Sequence, residues 1–346
     1  MNPKDLERFR FRGLHPRLFL GTASDRYAGW IGQIYTPGRY DDRLTRRSHA
    51  VGGQTFTERV LPVESVAEYF THFPVLEIDA TFYSPLLDAQ LKPTPTFRLL
   101  ETYARHLTAK DGLILKTPQV VFARIVRRRG GFEANPAYLD AELFVRRFYE
   151  PAVSLLGERV TGFIFEQEYQ AREGRDKDDD LAARLAAFFE ALPRDPRFHV
   201  ELRTEALLKE PYFKMLQNHG LGQVLSHWTW LPSLVRQFEM SGRGSSSAAG
   251  ACLIRLVTPR RMAYEASYRQ AFPFDRQVEG MTDPRMIEDA VLIAREAIGQ
   301  DRDVMILVNN RAGGNAPLIA RALAERFLAE AEPAGGGEKA GARPSG

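Results

Sequence analysis

The fold is decided by residues 75–83, VLEIDATFY, in which apolar and polar residues alternate. Alternation with a period of two is typical of a β-strand, whose successive side chains point to opposite faces. The apolar residues suit packing against helices. The other face carries the polar residues Glu77, Asp79, Thr81 and Tyr83.

Seven further short apolar runs resemble this predicted strand. They are residues 18–24, 113–119, 160–168, 198–204, 223–230, 252–258 and 304–310. The segments between them repeat apolar residues at spacings of three and four, as amphipathic helices do. These helical segments are residues 63–73, 97–107, 137–155, 181–192, 212–219, 284–298 and 317–328, with a weaker one in 231–240.

Eight strands that alternate with helices predict a parallel sheet of the α/β class. An open doubly wound sheet is the alternative, but no GxGxxG pattern follows the first strand, and a count of eight favours closure. We therefore predict a (β/α)₈ TIM barrel with a single domain over residues 18–330. Residues 1–17 form an N-terminal extension, residues 331–346 a disordered tail, and residues 41–57 extend the first strand-to-helix loop.

Composition limits the classes of function. The chain has 47 basic and 44 acidic residues, a net charge of +3, which is too balanced to predict nucleic-acid binding from charge alone. The one cysteine, Cys252, stands in an apolar run, so we expect a buried thiol. Neither a signal peptide nor a membrane-spanning segment is visible, which predicts a cytoplasmic protein without a membrane partner. The oligomeric state is left open.

Charged and amide residues gather near the ends of the predicted strands. Active sites of TIM barrels lie at the carboxyl ends of the strands, so this placement is the one expected of a site. A buried unpaired charge is costly, so these groups either face a wet pocket or pair with one another inside the barrel. Both interpretations stay open for Glu77, Asp79, Lys116, Glu166, Glu201, Arg203, His227, Arg255, Asn309 and Asn310.

Several of these segments resemble, in order, the motifs of the YecE-like family, known as domain of unknown function 72. The matching stretches are Gly21-Thr22 with Trp30, residues 77–83, Phe165-Glu166, residues 201–203, Arg255-Leu256, Asn309-Asn310 and residues 314–317. The resemblance runs from about residue 18 to residue 328. It implies a TIM barrel and a family without an established activity. The chain departs from the family at Asp79 and Glu166, where asparagine and glutamine are common, and in the stretched segment 21–30.

We expect an enzyme that acts by acid–base chemistry on a small polar or anionic ligand, such as a sugar or a phosphorylated compound, at the barrel mouth. Carboxylates supply proton transfer, and Arg, Lys and Asn side chains hold the ligand. The predicted catalytic residues are Glu77, Glu166 and Glu201. The predicted ligand-binding residues are Trp30, Asp79, Thr81, Tyr83, Lys116, Arg203, His227, Arg255, Asn309 and Asn310.

No cofactor is predicted. A divalent metal held by carboxylates and His227 is an alternative of lower rank, because Lys116 and Arg255 at the same mouth would repel a cation. A nucleic-acid phosphodiesterase is a second alternative, suggested by the basic residues Arg124, Arg127, Arg128 and Arg129 after the third strand. A non-catalytic binding or scaffold barrel, closed by salt bridges, is the third.

Overall fold

Eight parallel strands close into a barrel in the computed structural model, which describes residues 3–128, 131–244 and 249–329. The barrel strands are β1 (Leu18–Ala23), β2 (Val75–Ile78), β3 (Gly112–Lys116), β4 (Val160–Gln167), β5 (Phe198–Leu202), β6 (Gly222–His227), β7 (Ala251–Leu256) and β8 (Asp303–Val308). Each strand pairs with its neighbours in chain order, and β1 pairs with both β2 and β8. The predicted TIM barrel is confirmed. The predicted disordered tail, residues 331–346, lies outside the described residues.

One detail of the opening stretch is wrong. The strand predicted over residues 75–83 ends at Ile78, and a 3-10 helix follows over Asp79–Phe82. The period of two is therefore lost after Glu77, so Asp79, Thr81 and Tyr83 do not share its face as strand neighbours. The chain turns here because the barrel ends at Ile78, where pairing with β3 stops.

Twelve α-helices are described, most of them between barrel strands. They are α1 (Pro3–Glu7), α2 (Val66–His72), α3 (Pro95–Ala104), α4 (Gln119–Phe122), α5 (Ala141–Phe144), α6 (Glu150–Leu156), α7 (Asp178–Glu190), α8 (Glu210–His219), α9 (Leu234–Met240), α10 (Tyr264–Ala271), α11 (Pro284–Gly299) and α12 (Ala316–Ala329). A π-helical turn, Val145–Tyr149, joins α5 to α6. The Asp283 side chain caps α11 ahead of Pro284, as such a pair favours.

Two antiparallel hairpins interrupt the alternation and were not predicted. The first hairpin (Thr45–Val51 and Gln54–Val60) fills most of the long loop after β1, and the second (Ile125–Arg128 and Gly131–Ala134) follows β3. Most of the first hairpin's side chains are exposed, so its sequence lacks the apolar face that marks a buried strand. This is why its sequence resembles a loop.

The interior of the barrel has an apolar lower part and a charged upper part. The apolar part contains Val75, Ile114, Ile164, Val224, Leu253, Met305 and Leu307. Two residues further along the strands, the same inward direction carries Glu77, Lys116, Glu166, Ser226 and Arg255. A larger apolar core packs the outer faces of the strands against the helices. The charged groups are therefore built into the end of the barrel where sites form.

Two further expectations can be compared with the structure. Cys252 is buried and free, as predicted, and burial raises the pKa of its thiol to about 11. Across the described residues, no helix combines the length and the apolar character needed to cross a membrane.

Close packing of β1 against β2 generates a prediction. A Cβ at Gly21 would lie 2.4 Å from the carbonyl oxygen of Val75, which is backbone and cannot move aside. We expect Gly21→Ala to lower the free energy of unfolding by about 3 kcal/mol, measured in urea. Gly299→Ala is the control, because no atom lies within 4 Å of the added carbon. Equal midpoints for the two variants would contradict the constraint.

Candidate functional site

A cavity of about 630 Å³ opens at the carboxyl ends of β1 and β2. Glu77 and Asp79 line it from β2 and the turn that follows, and Ser24 lines it from the end of β1. The first hairpin contributes Glu58, and α10 contributes Tyr264. The cavity therefore lies where TIM barrels place their active sites, and its size is that of a small-molecule site.

The first hairpin covers this cavity because it is fastened to α10. The Tyr268 ring lies 5.0 Å from the Phe56 ring and 5.3 Å from the His49 ring, and both contacts are edge-to-face. The Tyr268 hydroxyl also donates a hydrogen bond to Glu58. The unpredicted hairpin is therefore a wall of the site.

Beneath the cavity, Arg255 joins three glutamates from three other strands. Its Nε and Nη2 donate to the two oxygens of Glu77 at 2.9 and 2.7 Å. Its Nη1 donates to Glu166 at 3.2 Å and also to Glu201. Arg255 is 3% exposed, and both Glu77 and Glu201 are fully buried. This is a charge network inside the barrel, of the kind that the sequence left as one of two interpretations.

Two more cations extend the network towards solvent. Lys116 Nζ lies 2.9 Å from Glu166 and 3.0 Å from Asp79. Arg203 lies 2.8 Å from Glu166 and 3.2 Å from Glu201. Four carboxylates thus meet three cations. Arg311 also acts electrostatically on Asp79.

The network holds most of its groups in their charged forms. Burial acts to raise the pKa of Glu166, but Arg203, Lys116 and Arg255 outweigh it and hold that pKa well below its usual range. Burial likewise opposes ionisation of Asp79, yet Lys116 and Arg311 lower its pKa. Of the four carboxyls in the network, only Glu77 has a raised pKa, because its burial outweighs the attraction of Arg255 and Lys116. Asp79, whose side chain is 36% exposed, is therefore the ionised carboxylate that the network presents to the cavity.

The predicted site residues divide into three groups. Three line the cavity: Glu77, Asp79 and Tyr83. Five belong to the buried network without lining the cavity: Lys116, Glu166, Glu201, Arg203 and Arg255. The other five do neither: Trp30, Thr81, His227, Asn309 and Asn310. The first group faces the cavity, the second forms the ion-pair network beneath it, and the third lies outside both.

The last group makes hydrogen bonds that order the strand ends. The fully buried Trp30 donates its indole N–H to Asn310 Oδ1 at 3.1 Å, and Asn310 Oδ1 also accepts from the N–H of Ala316 at the start of α12. The Asn309 side chain caps the turn that follows β8. His227 Nδ1 lies 2.8 Å from the carbonyl oxygen of Thr258.

Thr81 also belongs to this frame. Its hydroxyl lies 2.8 Å from the carbonyl oxygens of both Ile78 and Lys116. The contact ties the turn after β2 to the end of β3, and so fixes Asp79 beside Lys116.

Asp25 is a cavity residue that the sequence did not single out. It follows β1 directly after Ser24, whose φ of +68° turns the chain. The Tyr103 hydroxyl donates to Asp25 Oδ1 at 2.7 Å, and burial raises the pKa of Asp25 to about 6, against the opposing effects of Arg26 and this hydrogen bond. In the sequence, the only indication of a role for Asp25 is its position, since it lies in the segment 21–30 that departs from the family motif.

Arg311 is the second such residue. Its guanidinium carbon lies 4.2 Å from the centre of the Tyr264 ring, and its buried Nε has no hydrogen-bond partner. Its place directly after Asn309-Asn310 was the only sequence signal, since TIM barrels often bind anions after their last strands.

Within residues 3–128, 131–244 and 249–329, no group of three or more His, Cys, Asp or Glu side chains is arranged to hold a metal ion. The physical reason is local. The guanidinium of Arg255 lies between Glu77, Glu166 and Glu201, where a cation would have to lie.

The basic stretch after β3 is only partly described. Arg124 forms an ion pair with Asp176 at 3.2 Å, so its charge is compensated. The side chains of Arg127 and Arg128, and all of Arg129, lie outside the described residues.

Comparisons with known proteins agree on one family. The sequence model of the family described as proteins of unknown function DUF72 matches residues 19–342. A DUF72 family protein from Enterococcus faecalis is similar in structure, with a TM-score of 0.54 and 15% identity over 90% of this chain and 95% of that one. One from Thermotoga maritima has a TM-score of 0.51 and 13% identity over 91% and 98%. None of the curated proteins compared with the chain matches it.

The network generates a prediction about stability. Arg255→Met removes the shared cation and leaves the buried Glu77 without an ion pair among the described residues, and Glu166 and Glu201 with one cation fewer. The free energy of unfolding at pH 8 should therefore fall by about 3–5 kcal/mol. Because those carboxyls then protonate more readily, the loss should shrink at pH 5. Arg321→Met is the control, since Arg321 pairs with Glu325 on the exposed face of α12 and should change stability by less than about 0.5 kcal/mol. A loss independent of pH would contradict this account.

Asp25 generates a second prediction. Its folded pKa of about 6 lies above the unfolded value of 3.8, so its favourable contribution is complete below pH 3.8 and is lost as pH rises through 6. Above pH 6 the charged form costs about 3 kcal/mol. Asp25→Asn should therefore unfold at a higher temperature than wild type at pH 8, with a smaller difference at pH 4.

The control for this measurement is Asp111→Asn. Asp111 is also buried but accepts hydrogen bonds from Arg12 and Thr108 away from the cavity. It should lose stability at pH 8. Destabilisation of Asp25→Asn at pH 8 would show that the Asp25 charge is compensated in the fold.

Proposed function

The chain belongs to the DUF72 family, a family of unknown function, and from the geometry of its site we propose that it is an enzyme acting by acid–base chemistry on a small anionic ligand of sugar- or phosphate-like chemistry. The ligand lies in the cavity at the carboxyl ends of β1 and β2. The observation that carries the proposal is the lining of this cavity, in which an ionised carboxylate, a carboxyl of raised pKa and arginines without an ion pair to any described residue face one space.

Arginines give the cavity its affinity for anions. Arg26, Arg47 and Arg311 line it, and in the described part of the chain none of them is within 4 Å of a carboxylate. Guanidinium groups bind carboxylate and phosphate oxygens with short, charge-assisted hydrogen bonds. Arg311 is the best placed of the three, because its Nε is buried without a partner and its charge lies close to Asp79.

Aromatic side chains suit a sugar ring. Tyr83 is 63% exposed and Tyr264 is 40% exposed, and both line the cavity. Tyrosine combines an apolar face with a hydroxyl, which matches the alternating apolar and hydroxyl surfaces of a sugar. These rings, together with the arginines, favour a hydroxylated anion over a purely apolar ligand.

The carboxylates take different roles. Asp79 reaches the cavity in its ionised form and can accept hydrogen bonds from ligand hydroxyls. Glu77 has both oxygens engaged by Arg255, while Glu166 and Glu201 lie in the network below. We therefore assign ligand contact to Asp79. The three glutamates, which the sequence predicts as catalytic, instead hold the cations that fix the position of Asp79.

The cavity also favours the proposed enzyme over the alternative of a non-catalytic scaffold barrel. A purely structural barrel would close its mouth with salt bridges and leave no cleft. Here the salt bridges lie below a cleft of about 630 Å³. Their place supports a role in positioning the site, as second-layer groups do in enzymes.

Binding tests the proposal. D-gluconate and D-ribose 5-phosphate should raise the melting temperature and give millimolar or tighter dissociation constants by calorimetry, whereas D-glucose should bind more weakly. Arg311→Ala should weaken binding of the anions about tenfold or more, the value of a hydrogen bond to a charged group. Arg321→Ala, on the exposed face of α12, is the matched control. Unchanged affinity in Arg311→Ala, or no binding of either anion, would refute the proposal.

A further inference from the structure

One buried carboxyl group in the cavity has a hydrogen-bond partner for only one of its two oxygens. Asp25 is 2% exposed, yet it lines the cavity. Its Oδ1 accepts the hydroxyl of Tyr103 at 2.7 Å, while its buried Oδ2 has no hydrogen-bond partner. An unsatisfied buried oxygen is costly and needs an explanation, such as a functional role.

The backbone holds this group firmly in place. The Tyr35 hydroxyl donates to the carbonyl oxygen of Asp25 at 2.7 Å. The N–H of Ser24 donates to the carbonyl oxygen of Glu77 at 3.0 Å, and Thr22 donates its hydroxyl to the carbonyl of Ser24 at 2.7 Å. Ser24 itself has a φ of +68°, a conformation that a residue with a side chain rarely adopts. Such local strain is maintained where the surrounding structure fixes it, often at sites.

We propose that Asp25 is a catalytic acid–base residue, that its Oδ2 exchanges a proton with a hydroxyl group of the anionic ligand in the cavity, and that Tyr103 positions the carboxyl through Oδ1. The inference rests on the proposed function of the cavity and adds the group that moves the proton. In the base direction, a lone pair of Oδ2 takes the hydroxyl proton, and the electron pair of that O–H bond stays on the ligand oxygen. In the acid direction the proton returns by the same path.

The surroundings of Asp25 suit both directions. The charged and titratable groups that act on it are Arg26 beside it, Tyr35 in the same loop, Tyr69 on α2 and Tyr103 on α3. With only one cation and three phenols around the carboxyl, burial has the largest effect on its pKa. Burial raises the pKa of Asp25 to about 6. Both protonation states are then populated near neutral pH, as a general acid or base requires.

Asp79 completes the argument because its environment acts in the opposite sense. Lys116 lies 3.0 Å from Asp79 and, with Arg311, holds the pKa of its carboxyl below the usual value. Two carboxyls in one cavity whose pKa values are pushed apart indicate two roles. Asp79 stays ionised and orients the ligand, and Asp25 changes its protonation state.

The first measurement needs no ligand. The side-chain carboxyl of Asp25 is followed by ¹³C NMR between pH 4 and 8 and assigned by its absence in Asp25→Asn. It should titrate with a midpoint near 6. In Tyr103→Phe the midpoint should rise, because the hydroxyl stabilises the carboxylate. A carboxyl that does not titrate between pH 5 and 7 overturns the proposal.

The second measurement uses D-gluconate, whose charge is constant between pH 5 and 8. Its affinity for wild type should increase about fivefold from pH 7.5 to pH 5, which is the effect of one unit charge about 4 Å away in a water-filled site. In Asp25→Asn the affinity should be independent of pH. In Tyr103→Phe the dependence should persist with a higher midpoint, which a merely structural hydroxyl would not produce.

The two failures are distinguishable. If D-gluconate binds and Asp25→Asn keeps the wild-type pH dependence, the role of Asp25 is overturned and the ligand class stands. If D-gluconate binds at no pH, the proposed ligand class is overturned, and with it the ligand contact assigned to Asp25. Circular dichroism of each variant shows that the fold is retained.

Discussion

The guanidinium of Arg255 lies inside the barrel between Glu77, Glu166 and Glu201, and the upper end of the barrel is organised around it. Three carboxylates from three strands could not be buried this close together without a cation among them. Lys116 and Arg203 add two further cations to the same network. Burying ions in this way is not an efficient means of gaining stability, since apolar residues of equal volume often do as well. Its consequence is that each charged side chain of the network has a fixed partner and therefore a fixed orientation.

That constraint determines which charged groups are free to face the cavity. The glutamates that attract attention in the sequence are engaged by the cations beneath the site. The groups that face the cavity include Asp79, held by Lys116, and Asp25 and Arg311, which follow the ends of β1 and β8. The site is thus assembled at the seam of the barrel, where the first and last strands pair. Segments from both ends of the chain contribute to it, which explains why a local motif does not reveal it.

The first hairpin completes the enclosure. Without it, the polar groups above β1 and β2 would face bulk water, where electrostatic interactions are weak. Its contacts with Tyr268 bring Glu58 and His49 over the cavity. Because those contacts join two segments more than 200 residues apart, their geometry depends on the closed barrel.

The barrel and the polar character of its mouth could be predicted from the amino-acid sequence alone. Eight buried strands leave a signal because burial on both faces demands continuous apolar runs, and each predicted run overlaps a barrel strand. The inward alternation of Glu201 and Arg203 is likewise a local property. Which of these charges neutralise one another, and which face the cavity, depends on the closed barrel. Ion pairing depends on distances of a few ångström between side chains on different strands, and burial depends on what covers them. Neither ion pairing nor burial can be read from the residues that are adjacent in the chain. Asp25 has a raised pKa and Asp79 a lowered one, yet in the sequence both are simply aspartates.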